Sequence, residues 1–243
     1  MPGVKDWDYH TQKFNTRVRS LPESARHFFK DEASRLPGGP FDRPLSPDGG
    51  IKYHFCNYVF GATRSLIELT EATKLLWFSG RFISASVSIR QLIELWGGVE
   101  YARVVLDKYE KTKDLETATK KMNALLGGSN APVPWRPDLP LIKPINVMDF
   151  VRAADAVDPG IFKLYEFLCD ASHPSIMQHM ILLFAGPEYD NWSNETFAKH
   201  ADDVLDRTLD AGERSVRGIY RAGEDIFARC LPLALKELQA AKF

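Results

Sequence analysis

The chain has 243 residues, with 31 basic and 32 acidic side chains and a formal net charge of -1. Its 44% hydrophobic and 26% charged residues are typical of a globular protein and exclude a disordered or fibrous one. Because dedicated nucleic-acid-binding proteins usually carry a basic excess that neutralises phosphates, we expect no strong nucleic-acid partner.

The three cysteines are far apart, at Cys56, Cys169 and Cys230. This spacing argues against a disulfide framework and against a zinc knuckle. No apolar run approaches the ~18 residues that a membrane span needs, and the polar start of the chain lacks the apolar core of a secretory signal. We therefore expect a cytoplasmic protein with no membrane segment, no bound metal and no cofactor.

Proline- and glycine-rich stretches at residues 37–50 and 127–144 interrupt the chain. Proline lacks an N–H and has a fixed φ, so we expect neither helix nor central strand there. The other segments carry apolar residues at the three-and-four spacing of helices. The first predicted helices cover about residues 22–36, 51–79 and 81–109, and a further one starts within 108–121 and ends at Gly127.

Capping residues follow the second interruption. Asn146, with Asp149 three residues later, predicts a capping box at the start of a helix. That helix is expected to end near Asp158, which would cap a new helix that Pro159 opens.

The last part of the chain continues as helices. Residues 176–184 predict an apolar helix, and Ser193 is expected to cap a long terminal helix that Pro232 should kink or end. Its predicted buried stripe passes from Phe197 to Cys230. The fold prediction is all-α: a single domain with a bundle of six to eight helices and a proline-rich crossover loop. Its parts are an N-terminal helix and arm (1–50), a first helical hairpin (51–126), the proline-rich loop (127–146) and the C-terminal helices (147–243).

Catalytic and cofactor motifs of high specificity are missing from the sequence. There is no phosphate-binding glycine loop, no dinucleotide fingerprint, no His-Glu-x-x-His zinc motif and no Gly-x-Ser-x-Gly elbow. The Arg-x(4–6)-His signature of helical HEPN-type ribonucleases is also missing. The sequence therefore identifies no reaction and leaves open whether the protein is an enzyme.

One polar constellation has the residue types of a binding or catalytic site. Arg90 and Glu94 are four residues apart, so both point the same way from one helix. Tyr165, Cys169 and His173 share the same spacing on a later helix. In a functional site, Arg90 would bind an anionic group, Glu94 would hold its guanidinium, Tyr165 would donate a hydrogen bond, and His173 would act as acid or base near neutral pH.

These residues and Pro174 resemble a pattern in all-helical bacterial families of uncharacterised function. The pattern is an Arg-x-x-x-Glu helix followed, some 60 to 80 residues later, by Tyr-x-x-x-Ser/Cys-x-x-x-His-Pro or His-Gly. The resemblance covers roughly residues 51–184. It implies that Arg90, Glu94, Tyr165 and His173 meet in the folded core, and it implies no activity.

The residues favour a simpler interpretation of the same constellation. Arg90 and Glu94 would form an internal ion pair that holds their helix against a second one, because buried charges must be paired. His173 would then sit at a helix end. His179, Glu68 and Glu71 fit structural roles better than ligand roles. His54 lies near Cys56 and could contact a metal, but this spacing without a second pair is unspecific. Trp135 and Arg136 fit a recognition tip and a structural contact of the loop equally well.

Three functions remain open. The first is a helical interaction or regulatory module, with a protein partner or a second copy of the chain, which predicts an exposed apolar surface. The second is a hydrolase or nuclease of a defence or toxin type, acting through the Arg90, Glu94, Tyr165 and His173 pocket. The third is a sensor of a small anionic ligand, with Arg90 at one end of a cavity.

Overall fold

The computed structural model describes residues 46–128, 141–172 and 195–241, and the side chains of 203–239 in the last range. Within these ranges the chain is helical and contains no strand, which confirms the all-α prediction. The described helices are α1 (Pro47–Phe78), α2 (Phe82–Thr112), α3 (Leu115–Gly127), α4 (Val147–Val157), α5 (Ile161–Ser172) and α6 (Glu195–Ala241).

Helix α1 begins inside the stretch that was expected to exclude helix. Ser46 is its N-cap, and the Ser46 hydroxyl accepts a hydrogen bond from the N–H of Gly49 at 3.1 Å. Pro47 occupies the first helical position, where its missing N–H costs nothing because that group has no partner within a helix. A β-carbon at Gly49 would lie 2.6 Å from Cγ of Glu237, so a glycine there lets α6 approach. The prediction of an interruption up to Gly50 was wrong for these reasons.

The charged region 108–121 divides between two helices. Helix α2 continues to Thr112, and Lys113 then adopts a left-handed conformation with φ 57°. Asp114 caps α3 by accepting a hydrogen bond from the N–H of Thr117 at 3.0 Å. The predicted end at Gly127 is confirmed, and the start at Leu115 lies within the predicted range of 108–121.

The N-cap predicted for α4 at Asn146 is confirmed, whereas Asp149 forms an ion pair instead of the reciprocal hydrogen bond of the predicted capping box. The side chain of Asn146 accepts a hydrogen bond from the N–H of Met148 at 3.0 Å. The carboxylate of Asp149 pairs with Arg152, 3.3 Å away.

The cap predicted for α5 was wrong. Asp155 supplies it, because Oδ1 of Asp155 accepts hydrogen bonds from the N–H groups of Gly160 at 2.9 Å and Phe162 at 3.0 Å. Asp158 instead binds the guanidinium of Arg214 on α6 through both carboxylate oxygens, at 2.6 and 2.8 Å. This bidentate pair joins the α4–α5 connection to α6.

Helix α6 does not end at Pro232. It continues through this residue to Ala241. Pro232 is exposed, so its ring projects into solvent and the turn before it loses one hydrogen bond rather than a core contact. Packing of α6 against α1 and α2 stabilises the helix on both sides of the proline.

Helix α2 is the central element, because it packs against each of the other five described helices. The main core lies between α1, α2 and α6, and a smaller apolar cluster around Trp77 and Phe82 closes one end of the bundle. The buried faces of α1, α2 and α6 follow the three-and-four apolar spacing of the sequence. The buried members are Cys56, Val59, Thr63, Leu66 and Thr70 in α1, Phe82, Ala85, Ile89, Ile93 and Trp96 in α2, and Val204, Leu205, Thr208, Gly212, Ser215, Ile219, Gly223, Ile226 and Cys230 in α6.

Some predictions fall outside the described residues. These are the helix at 22–36, most of the proline-rich loop, the apolar helix at 176–184, the cap at Ser193, and the side chain of Phe197. In the part of the chain that the structure describes, no helix is both long enough and apolar enough to cross a bilayer.

Candidate functional site

Helices α2 and α5 bring three of the four candidate residues together. Arg90 and Glu94 are one turn apart on α2, and Arg90 Nε lies 3.5 Å from Glu94 Oε1. The hydroxyl of Tyr165, on α5, donates a hydrogen bond to the same Glu94 oxygen at 3.0 Å. Glu94 therefore forms an ion pair within its own helix and accepts a hydrogen bond from the facing helix. We call Arg90, Glu94, Tyr165 and the neighbouring Ser172 the α2–α5 cluster.

Ser172 is the member that sequence reasoning missed. Nη1 of Arg90 donates a hydrogen bond to Oγ of Ser172 at 3.4 Å, and that hydroxyl donates to the carbonyl of Cys169 at 2.9 Å. Ser172 follows Tyr165 by two helical turns, so the spacing that singled out Tyr165 also places Ser172 on that face. Cys169 contributes its backbone carbonyl here.

His173 and Pro174 lie outside the described residues. The acid–base role of His173 therefore stays a prediction. The same is true of the resemblance that includes this pair.

The α2–α5 cluster is half-buried. The side chains of Arg90 and Glu94 are 26% and 28% exposed, whereas Tyr165 is only 8% exposed. Burial, followed by the charge of Glu94 and the hydrogen bond to it, raises the pKa of Tyr165 well above its usual value. Tyr165 thus remains a neutral hydrogen-bond donor.

Arg90 keeps one donor poorly satisfied. Its Nε is buried and makes no hydrogen bond to any described residue, although the charge of Glu94 is 3.5 Å away. A buried donor without a hydrogen bond costs about 1–3 kcal/mol. The described neighbours of the guanidinium therefore fix its position but do not accept hydrogen bonds from all of its N–H groups.

A second polar cluster, around Arg229, was not predicted. Its guanidinium is paired with three carboxylates. Arg229 on α6 binds Asp107 at 2.8 Å, Glu110 at 2.6 Å and Asp225 at 3.0 Å. Lys52 on α1 lies 3.9 Å from Glu110. Three carboxylates around one guanidinium fit a structural connection between α1, α2 and α6 better than a ligand site.

The other candidates have ordinary surroundings. Burial lowers the pKa of His54, which keeps its imidazole neutral. Glu68 is exposed, and Glu71 pairs with Lys74 at 3.9 Å. Among the described residues, no three His, Cys, Asp or Glu side chains are placed to hold a metal ion. Trp135, Arg136 and His179 lie outside the described residues.

An apolar groove of about 860 Å³ lies between α3 and residues 141–143. We call it the α3 groove. Its apolar wall is formed by Leu115, Ala124, Leu141 and Ile142. Leu141 is 63% exposed, which leaves a large apolar side chain open to water. The remaining lining residues are polar or charged, and they are Glu116, Thr119, Lys120, Asn123 and Lys143.

Comparison of the chain with protein-family models, with curated proteins and with solved structures finds no significant match. The α2–α5 cluster and the α3 groove are therefore the features of this chain that bear on its function.

Proposed function

We propose that the protein is a helical interaction module whose α3 groove binds an amphipathic helix of a protein partner. The observation that carries this proposal is the exposed apolar wall of the groove, with Leu141 63% exposed at its edge. Burying such a wall against apolar side chains is worth roughly 25 cal/mol per Å². Exposed contiguous apolar surface is a common mark of binding sites on soluble proteins.

The shape of the groove favours a helix as the occupant. One side is α3, and the other is the non-helical segment at residues 141–143. An amphipathic helix presents apolar anchors at i, i+3, i+4 and i+7, which fit a groove flanked by another helix. Leu115 and Ala124 are at the two ends of the α3 wall, so the groove follows α3 for more than two turns.

The charges on the rim favour an acidic partner. Lys120 and Lys143 line the groove, with Glu116 as the one acidic lining residue. Carboxylates flanking the partner's apolar stripe would meet these lysines, which gives orientation and faster association more than affinity. We place this interaction in the cytoplasm, where the sequence predicts the protein to be.

One other occupant and one other function are alternatives. A second copy of the chain would make the protein a homo-oligomer, and the groove would then be an interface between copies. The hydrolase or nuclease alternative depends on His173, which lies outside the described residues.

Photo-crosslinking from the groove tests the proposal. A benzoylphenylalanine placed at Thr119 should capture a partner in cells, and the captured segment should carry an apolar stripe with flanking acids. The same segment, as a purified peptide, should bind the wild-type chain.

Matched leucine variants provide the control. Binding of that peptide should be lost in Leu141→Asp and retained in Leu126→Asp, because Leu126 is an exposed leucine of α3 that does not line the groove. Crosslinks confined to a second copy of the chain, or to the chain's own residues, would overturn the proposal. So would a captured segment without an apolar stripe.

A further inference from the structure

We propose that the α2–α5 cluster is an oxyanion-binding site, in which the guanidinium of Arg90 binds the carboxylate or phosphate group of a small ligand. This site is separate from the α3 groove, since the residues of the two sites do not overlap. The proposal therefore does not depend on the interaction function.

The guanidinium is held in one orientation. Glu94 lies beside Nε at 3.5 Å, and Ser172 accepts from Nη1 at 3.4 Å. Tyr165 fixes the Glu94 carboxylate in turn, through the 3.0 Å hydrogen bond from α5. An arginine fixed from two helices loses less conformational entropy on binding than a free surface arginine.

The described residues leave most donors of the guanidinium unused. Arginine has five N–H donors in a planar fork, and the described contacts of Arg90 use one of them in a hydrogen bond. Its Nε is buried and out of reach of a ligand from solvent, so the remaining N–H groups of Nη1 and Nη2 are the donors for an oxyanion, on a side chain that is 26% exposed. An oxyanion approaching the exposed edge would receive bidentate N–H bonds, the geometry that suits both carboxylate and phosphate.

The charge of Glu94 allows an anion-binding site to be distinguished from a purely structural ion pair. Its carboxylate positions Arg90, but its negative charge also opposes an incoming anion. In Glu94→Gln the side chain keeps an oxygen that accepts from Tyr165 and loses the charge. If an anion binds beside Arg90, this variant should therefore bind it more tightly, whereas a purely structural pair predicts no anion binding in either form.

The test is an amide chemical-shift titration of the full chain at constant ionic strength. Sodium phosphate and sodium acetate are the two probes, and sodium chloride is the reference. We expect saturable shifts of the amides of Arg90, Glu94 and Ser172 with at least one oxyanion. The phosphate and acetate arms show which oxyanion the site prefers.

Three variants separate binding from structure. Arg90→Gln should abolish the saturable shifts, and Glu94→Gln should tighten binding roughly three- to tenfold, as expected for removal of one nearby charge in a high dielectric. Arg217→Gln is the control, because Arg217 forms an ion pair with Glu213 at 2.7 Å in the same helical spacing, away from α5. This variant should bind like the wild type.

Two results would overturn the proposal. One is the absence of saturable shifts with both oxyanions in both the wild type and Glu94→Gln, whose folding the same spectra report. The other is a set of shifts that chloride reproduces, since that would show a general ionic effect.

Discussion

The indole ring of Trp96 packs directly onto the backbone of α6 at Gly218. A β-carbon at Gly218 would lie 2.1 Å from Cε2 and 2.4 Å from Nε1 of the ring. The ring is fully buried, and its Nε1 donates a hydrogen bond to the buried carboxylate of Glu100 at 3.2 Å. Because this hydrogen bond fixes the buried ring, α6 can approach α2 here only at a residue without a side chain.

Substitution of Gly218 by alanine should therefore destabilise the protein. Overpacking of a filled core typically costs about 1–3 kcal/mol, and we expect the upper part of that range because the ring cannot move without losing its hydrogen bond. The free energy of unfolding in urea measures the loss. Gly61→Ala is the matched control: Gly61 is an exposed residue within α1 with nothing within 4 Å of an added β-carbon. It should gain about 0.5–1 kcal/mol from the better helix propensity of alanine.

Arg103 should stabilise the protein because it neutralises the buried carboxylate of Glu100. Glu100 is 1% exposed, and Arg103 Nε donates to its Oε2 at 2.7 Å. Arg103→Ala would leave a buried carboxylate with only the indole hydrogen bond, which should cost about 3 kcal/mol. Arg152→Ala breaks an ion pair whose side chains are 66% and 50% exposed, and it should change stability by less than about 1 kcal/mol. Equal losses in the two variants would contradict this explanation.

Replacement of Pro232 should stabilise α6. Alanine at this exposed position supplies an N–H that can donate to the carbonyl of Ala228, one turn earlier. The proline penalty in a helix interior is about 3 kcal/mol, and we expect Pro232→Ala to recover about 1–3 kcal/mol of it in a urea unfolding experiment. Unchanged or lower stability would mean that the proline ring makes a contact that the helix needs.

Tyr109 should make stability sensitive to alkaline pH. Its hydroxyl donates to Oδ1 of Asp48 at 2.5 Å, and burial, followed by this hydrogen bond and the Asp48 charge, raises the pKa of Tyr109 from 10.0 to about 12. The folded state therefore keeps a proton that the unfolded state releases above pH 10. The stability that this proton contributes is fully present below pH 10 and is lost as pH rises towards 12.

The Tyr109→Phe variant isolates this contribution. The stability difference between wild type and variant should shrink by about 2 kcal/mol between pH 10 and pH 12, since each pKa unit corresponds to about 1.4 kcal/mol. Urea unfolding at several alkaline pH values measures the difference. A difference independent of pH would show that Tyr109 and Asp48 are not coupled in solution.

The helices were predictable because their signals are local. Apolar spacing predicted a helix over 51–79, and Asn146 and Gly127 predicted a helix start and a helix end that the structure confirms. Each of these residues acts through its own turn or the next one.

The predictions of a cap at Asp158 and of a helix end at Pro232 were wrong because long-range contacts outweighed the local signal. Asp158 has the residue type and position of a cap, but it binds Arg214, which is 56 residues away. Asp155 takes over the cap of α5 as a result. Pro232 is a strong local signal for a helix end, and the packing of α6 on both sides of it outweighs that signal.

The sequence by itself determined the all-helical class, most of the buried faces and the pairing of Arg90 with Glu94, because residues four apart on a helix must be neighbours. Only the tertiary structure decided that Tyr165 and Ser172 of α5 complete this pair, and that Gly218 faces Trp96. Local periodicity indicates which side of a helix is buried. It does not indicate which helix that side contacts, or which residues along the two helices meet. That choice depends on how side chains from distant parts of the chain fit together at close-packed density.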